Sequence, residues 1–137
     1  METKINNYLI SDDKSKIQPD RVCELLAATY WAEDRSREAI LSSIENSLCF
    51  GAYLDDMQVG FARCVTDCAT IYWLADVIVN PEHRGKGLGK ALVEAVVTHP
   101  QMVGLNAILA TRNAHGLYEQ YGFQMVQSDL YMRRNPE

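Results

Sequence analysis

The stretch that most limits what this chain can fold into is 76–90, Asp-Val-Ile-Val-Asn-Pro-Glu-His-Arg-Gly-Lys-Gly-Leu-Gly-Lys. Val77, Ile78 and Val79 form a continuously apolar run, which predicts a strand covered on both faces. Pro81 ends that strand, and Gly87, Leu88 and Gly89 open a helix whose buried side is predicted to be Leu88, Ala91, Leu92, Ala95 and Val96. Glycines at 85, 87 and 89 let the backbone approach an anion closely, and the free amides of a helix start add donors at the same place. Arg84, Lys86 and Lys90 bring positive charge, and no acid interrupts 83–90. The arrangement is one that binds phosphate. Spacing excludes two familiar versions of it: a Walker loop needs Ser or Thr after its Lys, where Lys90 is followed by Ala91, and the dinucleotide fingerprint fails because the third glycine arrives one residue early.

Hydrophobic periodicity supplies the surrounding elements. A short strand is expected over 7–11, then a helix over 19–30 that starts at Pro19 and carries Val22, Leu25, Leu26 and Thr29. Ser36 is a suitable N-cap for a second helix with Ala39, Ile40, Ile44 and Leu48 on one face, leaving 30–35 as the loop between helices. Strands over 48–54 and 58–66 form a hairpin, and a third strand covers 70–79. After the glycine-rich helix come a buried strand over 107–110, a short helix over 114–121 closed by Gly122, and a final strand over 123–132. The order β-α-α-β-β-β-α-β-α-β predicts a single α/β domain over 1–137: one mixed, mostly antiparallel sheet flanked by about four helices.

Composition narrows the function classes. A net charge of -5 argues against a nucleic-acid partner, which would call for a basic face. No run of 18 apolar residues is present, so no membrane span is expected. Cys23, Cys49, Cys64 and Cys68 contain no Cys-x-x-Cys pair, and the first ten residues lack signal-peptide features, so reduced thiols and a cytoplasmic location are expected. His115 has no carboxylate or cysteine at ligand spacing, and no metal is expected.

Arg84-x-x-Gly87-x-Gly89 after an apolar strand resembles the pyrophosphate signature of the GNAT superfamily of acetyl-CoA-dependent N-acetyltransferases. A second segment, 111–123, ends in Leu117-Tyr118-Glu119-Gln120-Tyr121-Gly122-Phe123 and resembles that superfamily's second signature. Together the likeness covers about 50–127. It implies acetyl-CoA as cosubstrate, with Val77, Ile78 and Val79 offering backbone hydrogen bonds to the pantetheine arm. The pyrophosphate would lie on Arg84, Gly85, Lys86 and Gly87 and continue over Leu88, Gly89 and Lys90. Asn113 is implied to face the cofactor, and Tyr118 to point at the sulfur.

The resemblance further implies direct attack of an amine on the thioester. An amine with a pKa of about 10.4 costs roughly 4–5 kcal/mol to deprotonate at pH 7, so a base or an ordered water helps. Asp76, an acid inside an apolar strand, is the expected base; its other reading is a carboxylate satisfied by backbone or by Arg63. Tyr118 is the expected proton donor to the leaving thiolate, and a backbone N–H such as that of Val77 would polarise the carbonyl. Tyr30, Trp31 and Arg35 are expected to form a lid over the acceptor, the alternative being a hydrophobic anchor between helices. The acceptor is expected to be a small-molecule or peptide amine, and a homodimer is left open. The rival reading is a non-catalytic acyl-CoA-binding or regulatory module.

Overall fold

In the computed structural model, which describes residues 1–136, six strands lie side by side in chain order: β1 (Glu2–Ile5), β2 (Tyr8–Ser11), β3 (Leu48–Leu54), β4 (Met57–Thr66), β5 (Ile71–Val79) and β6 (Asn106–Ile108). All neighbours pair antiparallel except β5 and β6, which run parallel. Four helices flank the sheet: α1 (Pro19–Ala27), α2 (Arg37–Glu45), α3 (Leu88–Thr98) and α4 (His115–Glu119).

The helices form where their ends are chemically marked. Pro19 occupies the first turn of α1, where a missing N–H costs nothing, and Ser36 caps α2 by accepting from the Ala39 amide at 3.1 Å. Val22, Leu25 and Leu26 of α1 and Ile40 and Ile44 of α2 bury against Cys49, Phe61 and Ile78 on one face of the sheet. On the other face, Leu88, Leu92, Ala95 and Val96 of α3 pack on Phe50, Ala62, Tyr72 and Leu74. The sheet is thus the middle of three layers, as expected of an α/β sandwich.

Four expectations are corrected. Segment 123–132 is not a strand: Met125, Val126, Leu130 and Met132 are exposed, and the polar run Gln127-Ser128-Asp129 breaks strand alternation with a one-turn 3-10 helix at Ser128–Leu130. At the other end, β1 extends the expected first strand into a hairpin through Asn6 and Asn7, where Asn6 takes the left-handed φ of 54° that such a two-residue turn uses. Leu48 starts β3 instead of closing the α2 face, because α2 ends at Glu45, and Ala39 is exposed. Helix α1 also stops at Ala27, three residues short, where Thr29 Oγ1 donates to the Leu26 carbonyl and then accepts from the Ala32 amide.

A β-bulge in β5 positions everything that follows. Arg63 of β4 pairs with Asp76 and the next residue, Cys64, pairs with Leu74, so Ala75 has no opposite number. The extra residue resets the alternation. Tyr72 and Leu74 before it and Val77 and Val79 after it all join the core under α3, whereas Asp76 and Ile78 turn to the α1–α2 face. Pairing between β5 and β6 ends at Trp73 and Ile108, immediately before the bulge. Beyond that point no described strand pairs with this side of β5, which leaves a gap along its edge from Leu74 to Val79.

Candidate active site

At the C-terminal end of β5 the chain turns tightly into α3. The Asn80 amide donates to the Val59 carbonyl at 2.8 Å, the Asn80 side chain accepts from the Glu82 amide at 2.9 Å, and His83 Nδ1 is hydrogen-bonded to the Tyr8 hydroxyl at 2.9 Å. Arg84 Nε donates to the Val79 carbonyl at 3.2 Å, tying the basic loop to the strand end. Gly85 and Gly87 have φ of 77° and 82°, a backbone region that side chains disfavour. Gly87 is the N-cap of α3 and has no side chain to cap it, so the first amides of the helix are left pointing out of its end. Arg84, Lys86 and Lys90 are exposed and make no salt bridge among the described residues. Uncapped amides, a helix dipole and three cations are the elements that anion binding at a helix start uses.

A Cβ built on Gly89 would sit 3.9 Å from Leu117, and the Tyr121 hydroxyl donates to the Lys90 carbonyl at 3.2 Å, so α4 leans on the start of α3. Tyr118 packs on the α3-side core with its ring edge-on to Phe123, centroids 5.9 Å apart. Burial, reinforced by the nearby Tyr30, pushes the Tyr118 phenol above its ordinary value, so it holds its proton at neutral pH. Asn113 is exposed in the turn before α4, where the Ala114 amide donates to Thr111 Oγ1 at 3.0 Å.

The loop 30–35 lies against the α1–α2 face of the sheet, where it meets Asp76. Trp31 Nε1 donates to Asp76 Oδ1 at 2.7 Å, and Arg35 Nη1 donates to both carboxylate oxygens at 3.1 and 2.9 Å. Arg63 Nε, from the strand beside, donates to Oδ2 at 2.7 Å while its Nη1 donates to Ser47 Oγ at 3.1 Å. Of the two readings open for Asp76, the ion pair with Arg63 is therefore formed, with Arg35 and Trp31 added. The side chain is fully buried. Burial alone would raise its pKa, but hydrogen bonds from Arg63 and then Arg35, with their charges, outweigh it and hold the carboxyl below its ordinary value.

Tyr30 links this cluster to the segment after β6. Its ring meets Trp31 edge-on at 5.1 Å, its hydroxyl accepts from the Arg112 amide at 3.3 Å, and the Arg112 guanidinium lies 4.1 Å above its ring centroid. Of the three lid residues expected from the sequence, Trp31 and Arg35 meet at Asp76, and Tyr30 reaches it only through its ring contact with Trp31. Two further residues were not anticipated. Arg112 gave one signal, standing next to Asn113. Trp73, exposed on the Asp76 face one side chain back along β5, would have required knowing the bulge.

Other chemistries find no support here. Burial pushes the Cys49 and Cys64 thiols up to about 11 and about 12, so neither forms a reactive thiolate at neutral pH. Among the described residues no group of three His, Cys, Asp or Glu is gathered for a metal, and no helix is long and apolar enough to cross a membrane.

The arrangement has counterparts. The family model described as "Acetyltransferase (GNAT) domain" matches residues 45–125. A Gibberella zeae protein assigned as an acetyltransferase is 30% identical over 108 residues, 64% of this chain and 61% of the relative, so the chain spans less than two thirds of that relative's length. A crystal structure from Xanthomonas campestris pv. campestris, of a protein assigned to the GNAT family of acetyltransferases, is 40% identical and superposes with a TM-score of 0.91 over 97% of this chain and 96% of its own. A GNAT family acetyltransferase from Elizabethkingia anophelis, solved with acetyl-CoA bound, shares the fold at 17% identity, with a TM-score of 0.67 over 89% and 79% of the two chains.

Proposed function

The chain belongs to the GNAT family of acetyltransferases, and from that premise we propose that it moves an acetyl group from acetyl-CoA to an amine by direct attack. What carries this reading is the parting of β5 from β6 at the bulge. We read the open edge of β5, the α3 N-terminus beyond it and the protonated Tyr118 as the cofactor side, and the Asp76 cluster as the acceptor side.

The pyrophosphate would rest on the amides and cations from Arg84 to Lys90, with Arg84 held in place by its bond to Val79. Val77, Ile78 and Val79 would hydrogen-bond the pantetheine arm as a neighbouring strand does, since β6 has already turned away. Asn113, at the mouth of α4, would add a polar contact. A backbone N–H on the open edge of β5, such as that of Val77, would polarise the thioester carbonyl. Tyr118 would give its proton to the departing thiolate, a task for which a raised pKa keeps it ready.

For Asp76 we propose a positioning role in place of general base. Its oxygens accept from Trp31, Arg35 and Arg63, and its lowered pKa makes it a weak proton acceptor. Its geometry suits holding Trp31 and Arg35, with Tyr30 beside them, as the acceptor wall. The amine would lose its proton to water in the gap.

An acceptor screen that follows free CoA release from acetyl-CoA tests the proposal. Acceptor-dependent release supports transfer, and saturable acetyl-CoA binding with no release for any amine would favour the binding-module reading.

A further inference from the structure

We propose that Arg112 is the specificity-determining residue of the acceptor site and that the amine acceptor carries a carboxylate or similar planar anion. The inference rests on the acetyltransferase reading, because it assigns a ligand to the acceptor side of the same gap.

Arg112 is exposed, yet it is held. Its guanidinium stacks 4.1 Å above the Tyr30 ring, and its own backbone amide is bonded to the Tyr30 hydroxyl at 3.3 Å. A planar guanidinium fixed by stacking loses little freedom when its edge then meets a carboxylate in a two-point fork. That edge is unused: among the described residues the Arg112 side chain makes no hydrogen bond or salt bridge. The other two arginines of this wall differ, since Arg35 and Arg63 are both ion-paired to Asp76. The nearest acids in sequence on the same wall, Glu33 and Asp34, are exposed and form no ion pair with Arg112.

Position makes this cation relevant to the acceptor and not to the phosphates. Arg112 lies on Tyr30, whose ring meets Trp31 edge-on, and Trp31 is bonded to Asp76 in the proposed acceptor wall, whereas the phosphate cations Arg84, Lys86 and Lys90 sit beyond Val79 at the far end of β5. An amine with an anionic group a few bonds away could place its nitrogen in the gap while Arg112 grips the anion. The exposed faces of Trp31 and Trp73 flank the approach.

The test uses probes that need no turnover. Benzoate and its neutral isostere benzamide are titrated by calorimetry into CoA-saturated wild type and into Arg112→Gln, with acetyl-CoA affinity measured for both proteins. Wild type is expected to prefer benzoate by on the order of tenfold or more. In Arg112→Gln that preference should fall to within twofold while acetyl-CoA affinity stays within twofold. With an acceptor found in the screen, Arg112→Gln should raise KM for carboxylate-bearing amines and spare their amides. Equal binding of benzoate and benzamide by wild type, including no binding of either, would overturn the assignment. So would a loss confined to acetyl-CoA affinity, which would make Arg112 a cofactor residue. A failed acceptor screen alongside a clear benzoate preference would refute transfer and leave the anion site standing.

Discussion

Replacing Asp76 with Asn removes one charge and almost no volume, and the consequences can be worked out donor by donor. The carboxylate accepts from Trp31 on one oxygen, from Arg63 on the other, and from Arg35 on both. An amide has only one acceptor oxygen. If that oxygen keeps the Arg63 bond, the new NH2 faces the Trp31 indole N–H; if it keeps Trp31, the NH2 faces a guanidinium. Either way a donor opposes a donor and two cations lose the only anionic partner that each has among the described residues. Breaking a buried ion pair typically costs about 3–5 kcal/mol. Arg35 is 30% exposed and recovers hydration, while Arg63 at 11% cannot, which places the expected loss near the lower end, about 3 kcal/mol. For a chain of this size that is roughly a 10 °C fall in Tm. Adding Arg63→Met to Asp76→Asn should restore part of the loss, since the stranded charge is then gone.

The pH dependence follows with a definite sign. The folded carboxyl is held below its ordinary value, so the cluster stabilises the fold above about pH 4 and loses that contribution as pH falls through the folded value. Wild-type and Asp76→Asn stabilities should therefore differ at pH 7 and converge in strong acid, as read by urea denaturation at a series of pH values. The acid limb of the kcat/KM profile should keep its midpoint in the mutant. Unchanged stability combined with activity that returns as pH rises would refute the positioning role and make Asp76 the base.

Reversing Arg84 and Lys86 together to Glu should abolish the Tm rise that saturating acetyl-CoA gives the wild type; equal calorimetric binding by the double mutant would remove the anion-site assignment. Tyr53→Phe should stabilise the chain by about 1–2 kcal/mol in urea denaturation, because the Tyr53 hydroxyl is buried with no hydrogen-bond partner among the described residues and bears a desolvation cost that phenylalanine avoids. A destabilised Tyr53→Phe would mean that the hydroxyl has a partner.

How far the sequence could be read depends on the range over which each signal acts. The glycine turn was legible because Gly85, Gly87 and the α3 start act within a few residues of one another. So was Tyr118, whose helix is closed by Gly122 in the next turn. The role of Asp76 was only half legible: an acid among apolar neighbours asks for a partner, and Arg63 could be guessed from the hairpin, but Arg35 comes from 41 residues away. The bulge at Ala75 left no mark, since Leu74-Ala75-Asp76 reads as ordinary strand, and with it went Trp73 and the point where β5 and β6 part. Arg112 acquires its position only through Tyr30, 82 residues earlier. Segment 123–132 misled because β-prone residues make a strand only when an edge accepts them, and β6 is just three residues long.

The central claim, that this gap transfers an acetyl group, is tested most directly by Tyr118→Phe in the CoA-release assay with the best acceptor found for wild type. The account predicts acetyl-CoA affinity within twofold of wild type and kcat lowered by about ten- to ten-thousand-fold, the loss expected when a proton donor to the leaving group is removed. Turnover within threefold of wild type would contradict it, leaving Tyr118 as packing against Phe123 and the chemistry to be sought elsewhere.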